Sequence, residues 1–423
     1  MPNNWKTYKL SQVTTKIGSG STPRGGQEAY KTSGISLIRS QNVLDFTFST
    51  SGLAFIDHAQ ASKLNNVTLE EEDVLLNITG DSVARVCQVP KELLPARVNQ
   101  HVAIIRANKE ILNPTFLKYS LLETSNKNSL LNMASAGATR QAITKSMIEG
   151  FEIKLPSIQE QQSIASILSA IDDKIENNLA INKTLEEMAM ALYKHWFVDF
   201  GPFQDGEFVE SGLGMIPEGW EVKSFFDLFD LLSGGTPKTS INEYWNGDIN
   251  WVSAKDIGSN NIGFYINNTE KKITELGVQK SATKILPENT VIVVARGSVG
   301  KYGMITKPMA MNQSCYGIYS KSQYSQPLTY LLIQSLIKHF IQVSYGSVFD
   351  TITTSTFQNI NVLVPPKEVF VEISREVDTY FEQIKENIKE NQTLTQLRDT
   401  LLPKLISGEV RLKEFQEQVA NIL

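Results

Sequence analysis

NNLAINKTLEEMA, residues 177–189, lies inside a long stretch of helical periodicity, yet two neighbouring positions of its apolar seam are asparagines. Upstream, Ile164, Leu168, Ile171 and Ile175 follow a 4-3-4 spacing; downstream, Leu185, Ala189, Leu192 and Trp196 resume it. Asn178 and Asn182 fill the two steps between. The rhythm returns 209 residues later as Ile373, Val377, Tyr380, Ile384, Asn387, Asn391, Leu394, Arg398, Leu401 and Leu405. An apolar period near 3.5 sustained over four or more heptads predicts a coiled coil rather than a surface helix. The partner helix is available in the same chain, most simply antiparallel, which predicts a rod with a globular body at each end. A buried seam asparagine costs stability but penalises shifted registers, in which it would face an apolar residue with its amide unpaired. Asn178, Asn182, Asn387 and Asn391 are therefore expected to pin the register. Arg398, standing where Ala189 stands in the first copy, is expected to weaken the seam and snorkel its charge to water.

The repeat extends beyond the helices. Trp5 with KTYKL answers Trp220 with EVKSF, STPR (21–24) answers GTPK (235–238), and ISLIRSQNV (35–43) answers INWVSAKDI (249–257). DVLLNITGD (73–81) answers TVIVVARGS (290–298), Asn99-Gln100 answers Asn312-Gln313, and Gly137 with Thr144 answers Gly346 with Thr353. Short apolar runs punctuated by Gly, Pro, Asn and Asp read as strands, and NPTFLKYSLLET and PLTYLLIQSLIKHF as helices with Pro at or near the start. The expected fold class is mixed α/β: two globular α/β bodies separated by two long helices that form an antiparallel coiled coil, with an internal pseudo-twofold repeat. The boundaries read as body one 1–155, long helix 156–200, linker 201–219, body two 220–365, second long helix 366–410 and tail 411–423. About 40 residues of helix correspond to roughly 60 Å.

The 423 residues carry a net charge of −5, an average that hides a division. Body one has 17 Lys and Arg against 13 Asp and Glu, and residues 220–365 have 12 against 10, whereas 156–219 have 3 against 11 and 366–423 have 8 against 11. Two mildly basic bodies alternate with two acidic helices. Cys87 and Cys315 have no partner pattern, which predicts neither a disulfide framework nor a zinc site and fits a reducing cytosol. The N-terminus lacks a charged region followed by an apolar one, and no run approaches the roughly 20 apolar residues that cross a bilayer. Neither secretion nor membrane insertion is expected.

These features resemble the DNA-specificity subunits of type I restriction-modification enzymes over the whole chain. The resemblance is carried by PNNWKTYKL and IPEGWEV, GSTPR and GGTPK, LPSIQEQQSIASILSAIDDKIENN, LYKHWFVDFGPF and the terminal LLPKLISGEV. It implies a chain without catalytic activity, in which each body is a target recognition domain reading one half of a bipartite site on double-stranded DNA. The coiled coil would be the spacer and the platform for two methyltransferase subunits, with two motor-nuclease subunits added where the system restricts. Trp196, Phe197, Asp199 and Phe200 become candidates for partner docking. No cofactor is expected in this chain: S-adenosylmethionine would belong to the methyltransferase partner, ATP and magnesium to the restriction partner. Rigidly separated readers suit two short sequences flanking an unread stretch, and basic bodies suit DNA.

Local strings that imitate catalytic motifs are poor matches. NPTF (113–116) lacks the second proline of an adenine methyltransferase loop and reads as a helix start. ARGSVGKY (295–302) has Ala295 where a P-loop has its first Gly and Tyr302 where it has Ser or Thr. His58, His101, His195 and His339 fall at no metal-ligand spacing, so no metal is expected. Two other functions stand beside a DNA reader: a scaffold that separates two proteins without touching DNA, and a DNA adenine methyltransferase.

Base reading needs side chains with paired hydrogen-bonding groups at a groove edge. The candidates are Arg24, Arg39, Gln41, Asn42, Arg140 and Gln141 in body one, and Lys238, Lys255, Asp256, Arg296, Lys301 and Ser347 in body two. Arg39, Gln41 and Asn42 differ from their counterparts Ser253, Lys255 and Asp256, as residues reading different half-sites should. Asn99-Gln100 and Asn312-Gln313 match, which argues for a shared structural or backbone role.

Overall fold

The computed structural model describes residues 5–135, 141–258, 263–321, 324–345 and 351–410. Two compact units divide it, one of Met1–Ile175 with Gln392–Leu423 and the other of Glu176–Asn391. Each unit holds one body and a part of each long helix, Ile158–Phe197 and Lys367–Ser407.

In the first unit, strands Thr14–Ser19, Val102–Ala107, Val74–Asn77 and Val86–Gln88 lie in that order in an antiparallel sheet. A second sheet places Ile35–Ile38 between Ala54–Ile56, antiparallel, and Ala96–Val98, parallel. Val74–Asn77 is buried at all four positions because its alternating side chains serve two cores. Val74 and Leu76 pack with Ala103, Ile105 and Phe116, while Leu75 packs with Ile104, Leu37 and Val98 of the second sheet. The helix Pro114–Leu122 begins as NPTF predicts: Asn113 Oδ1 accepts from Phe116 N at 2.8 Å with Pro114 in the first turn.

The second unit repeats the plan. Phe229–Ser233, Cys315–Ser320, Val291–Val294 and Tyr302–Ile305 form the corresponding sheet, extended by Tyr265–Ile266. Trp245–Val252 lies between antiparallel Lys271–Ile273 and parallel Ala310–Met311. Lys6–Lys9 pairs with Glu152–Leu155 in one unit and Glu221–Ser224 with Asn361–Val364 in the other. The repeat of letters is thus a repeat of topology. Residues 201–219 carry a hairpin, Phe208–Ser211 with Gly214–Pro217. ARGSVGKY leads into a strand, Tyr302–Ile305, not the helix whose N-terminus a P-loop requires.

Within the second unit the long helices run antiparallel. Asn178 Nδ2 donates to Asn391 Oδ1 at 2.8 Å and to Glu390 Oε2 at 2.7 Å, and Asn387 Nδ2 donates to Asn182 Oδ1 at 2.8 Å. Gln383 Nε2 supports the second pair by donating to Asn387 Oδ1 at 3.0 Å. Asn178, Asn182 and Asn387 are buried, and Asn182 Nδ2 has no partner among the described residues.

Arg398 departs from expectation. Rather than snorkelling, its side chain is only 11% exposed. In the first unit its Nη1 lies 3.0 Å from Asp172 Oδ1, and its guanidinium stacks 3.6 Å above the Phe46 ring. Asp172 Oδ2 accepts from Tyr119 Oη at 2.6 Å and from Lys118 Nζ at 3.5 Å. A period-based reading cannot see Asp172, Lys118 and Tyr119 assemble around one seam position. Those three residues and Phe46 come from elements far apart in the chain.

Candidate nucleic-acid interface

In both bodies three loops converge where the strands of the two sheets end. The first is Gly20–Arg24, or Gly234–Lys238; the second is Asn99-Gln100, or Asn312-Gln313; the third follows Ile38, or Val252. Asn99 N donates to Ile38 O and Asn312 N to Val252 O, each at 2.9 Å, tying the second loop to the root of the third. Asn99 Oδ1 accepts from His101 N at 3.1 Å and Asn312 Oδ1 from Ser314 N at 3.0 Å, a side-chain turn that fixes the glutamine at the tip. A Cβ on Gly20 would stand 2.1 Å from Asn99 O, and one on Gly234 2.0 Å from Asn312 O. Only glycine lets the first loop lie this close.

Neighbouring chain completes each cluster. Thr79 bridges to Ala142 in body one as Arg296 bridges to Thr351 in body two. The glycine after each, Gly80 at φ 75° and Gly297 at φ 77°, takes the left-handed conformation that other residues resist.

Among the predicted reading residues, Arg24, Gln41, Gln141, Lys238, Lys255, Arg296 and Lys301 are exposed on these loops or beside them. Gln41 Nε2 donates to Gly52 O at 3.2 Å, and Lys301 Nζ donates to Ala254 O at 3.3 Å. Arg39 is half-buried over the Tyr30 ring and donates to Gly52 O, so part of its donor set is engaged within the loop.

Two assignments are corrected. Asn42 is fully buried, its Oδ1 accepting from Arg39 N at 3.0 Å and its Nδ2 donating to Ser49 O at 2.8 Å. Asp256 is buried, its Oδ2 accepting from Ser253 N at 2.8 Å and its Oδ1 from Glu270 N at 2.7 Å. Both close the same three-residue turn and offer no free group to a base. Their differing letters concealed one job, because either Asn or Asp supplies the oxygen such a turn needs. Arg140 and Ser347 lie outside the described residues.

The docking candidates also divide. Phe197 is buried, stacked 4.8 Å from Tyr193 and edge-on to Trp220 at 5.5 Å. Phe200, at φ 50°, turns the chain back so that its ring also meets Trp220, at 5.4 Å. Phe197 caps the core of the second unit instead of presenting a surface, and Phe200 is half-buried against it. Trp196 is half-buried against Phe203, and Asp199 is exposed.

Sequence reasoning misses the pairing of Thr79 and His101, whose Oγ1 and Nδ1 lie 2.6 Å apart in the body-one loop cluster. Their counterparts are Arg296 and Ser314, so this pair differs between bodies. Alignment of the repeat would have exposed it; a search for metal spacing did not. Cys87 and Cys315 are buried and form no disulfide, and burial pushes the Cys315 thiol up to about 12, leaving it unreactive. Among the described residues no group of His, Cys, Asp or Glu could hold a metal ion, and no helix is long and apolar enough to cross a membrane.

The family described as type I restriction modification DNA specificity domain matches twice, at residues 2–187 and 217–396. The HindI specificity subunit of Haemophilus influenzae is 26% identical, over 96% of this chain and 100% of its own. The MjaIX specificity subunit of Methanocaldococcus jannaschii is 27% identical, over 98% and 95%. A crystal structure of the type I restriction-modification S subunit from M. genitalium shares the fold, with a TM-score of 0.57 at 16% identity over 96% of this chain and 97% of that one.

Proposed function

The chain belongs to the type I restriction-modification DNA specificity family, and from that premise we propose that each three-loop cluster reads one half of a bipartite target on double-stranded DNA. The chain is the non-catalytic specificity subunit of a type I restriction-modification complex. The observation that carries the reading is the same cluster built twice, on one scaffold, with different exposed side chains. A fixed frame with variable tips is what two unlike short sequences require, because phosphate contacts position a protein while base contacts specify. Body one offers Arg24, Gln41, Gln141 and the Thr79–His101 pair; body two offers Lys238, Lys255, Arg296 and Lys301. Neither a scaffold without DNA nor a methyltransferase accounts for this arrangement, and the relatives are named specificity subunits.

The long helices set the unread spacing and hold two methyltransferase subunits, with two motor-nuclease subunits joining where the system restricts. Their acidic surface suits protein partners better than DNA. S-adenosylmethionine belongs to the methyltransferase partners, and ATP with magnesium to the restriction partners. The complex works in the cytoplasm, where unmodified DNA is accessible.

The test is binding of the complex with its methyltransferase partner to duplexes altered in one half-site at a time. Lys255→Ala with Lys301→Ala should lose discrimination at one half and keep it at the other. Equal binding of cognate and scrambled duplexes by the unaltered complex would overturn the reading.

A further inference from the structure

One contact at the interface is the same in both bodies. Thr22 Oγ1 donates to Gln100 Oε1, and Thr236 Oγ1 donates to Gln313 Oε1. Both glutamines are exposed. Each is held at a turn tip by the preceding asparagine, and each threonine stands two residues after a glycine, Gly20 or Gly234, that lies against that turn. Val102 N donates to Asn99 O at 3.2 Å as Cys315 N does to Asn312 O at 3.3 Å, so the backbone frames agree as well.

Rigid, exposed and duplicated polar pairs among tips that otherwise differ point to a ligand feature common to both half-sites. With the amide oxygen engaged by the hydroxyl, each exposed glutamine has the two N–H donors of its Nε2 amide left to offer. In body one that nitrogen lies 3.4 Å from His101 Nε2, on the side where the variable tips stand. Paired adenine reading needs donor and acceptor together, whereas a phosphate oxygen needs only the donor.

We propose that Thr22–Gln100 and Thr236–Gln313 are a matched pair of sugar-phosphate clamps, which seat each body on the duplex without reading sequence. This rests on the proposed DNA-reading function and adds a division of labour: the shared glutamines fix register, and the unlike tips specify.

The experiment uses the full chain with its methyltransferase partner and two duplexes, cognate and scrambled, together with sequencing of the methylated positions. Gln100→Ala and Gln313→Ala should each weaken both duplexes by the same factor, about 5- to 10-fold for one lost hydrogen bond, and leave the methylated sequence unchanged. Gln100→Glu keeps the acceptor for Thr22 and hence the loop, but faces phosphate with a negative charge; it should weaken binding further at an unchanged melting temperature. A changed base at one position of the methylated sequence would make the glutamine a reader and overturn the proposal. So would unaltered affinity for both duplexes. Failure of the parent complex to prefer its cognate duplex would instead strike the function itself, so the two failures are distinguishable.

Discussion

Position 172 and position 381 occupy the same step of the repeated helix pattern, as do 398 and 189, yet the two units fill them with opposite chemistry. In the first unit Asp172 and Arg398 form an ion pair with Lys118 and Tyr119 beside them. Burial, with the Asp172 carboxylate alongside, raises the Tyr119 phenol so that it stays a donor. In the second unit Phe381 packs with Phe264 at 5.1 Å and Tyr330 at 5.7 Å, and Ala189 is fully buried. Glu186 accepts there from Tyr330 Oη at 2.7 Å. A repeated fold therefore dictates where a joint must be filled, not with what. An ion network fills the joint in one unit and an aromatic cluster fills it in the other, although the buried Tyr265 Oη beside Phe381 finds no partner among the described residues.

That equivalence can be broken from either side. Phe381→Asp copies the first unit's residue into a site without its cations, and should cost roughly 5 kcal/mol or more in urea unfolding. Asp172→Ala should cost about 3 kcal/mol, because it removes the buried carboxylate that Arg398, Lys118 and Tyr119 share, while Arg398 keeps its second carboxylate, Asp399. The triple change Asp172→Phe, Lys118→Leu, Arg398→Ala imports the apolar solution and should recover most of that loss; failure to recover would show that the ionic joint has a specific role.

The asparagine pairs test register, with smaller energies. Changing Asn178, Asn182, Asn387 and Asn391 together to leucine should raise stability by about 1–2 kcal/mol, since it removes the unpartnered Asn182 Nδ2. It should also relax the spacing of the methylated target; unchanged spacing would remove the asparagines from that role. The smallest effect concerns Glu186, whose carboxyl is raised above its ordinary value of 4.5 chiefly by burial. A raised folded-state value means a contribution that is full below about 4.5 and is lost as pH rises through the folded value. Glu186→Gln should therefore be more stable than the parent at pH 7, with the difference shrinking as the pH falls toward 4.5 in thermal melts.

The joints also show what the sequence could tell. The helix pair, the repeat and the helix start at Asn113 were legible because periodicity and capping act over a few residues. Arg398 was misread because its partners, Phe46, Lys118, Tyr119 and Asp172, converge only in three dimensions. Asn42 and Asp256 hide their role for a different reason: unlike letters suggest unlike tasks, whereas both side-chain oxygens close one turn. Thr79 and His101 were overlooked because each is ordinary alone and acquires meaning only beside Arg296 and Ser314.

The central claim is that each body reads its own half-site through its own loop tips. It is tested most directly by mapping methylated bases in DNA treated with two variants of the complex, one with Arg24→Ala and Gln41→Ala, the other with Lys255→Ala and Lys301→Ala. The account predicts that the first alters one half of the bipartite sequence, the second alters the other, and the spacing stays constant. Both variants altering the same half, or neither altering any position, would contradict it.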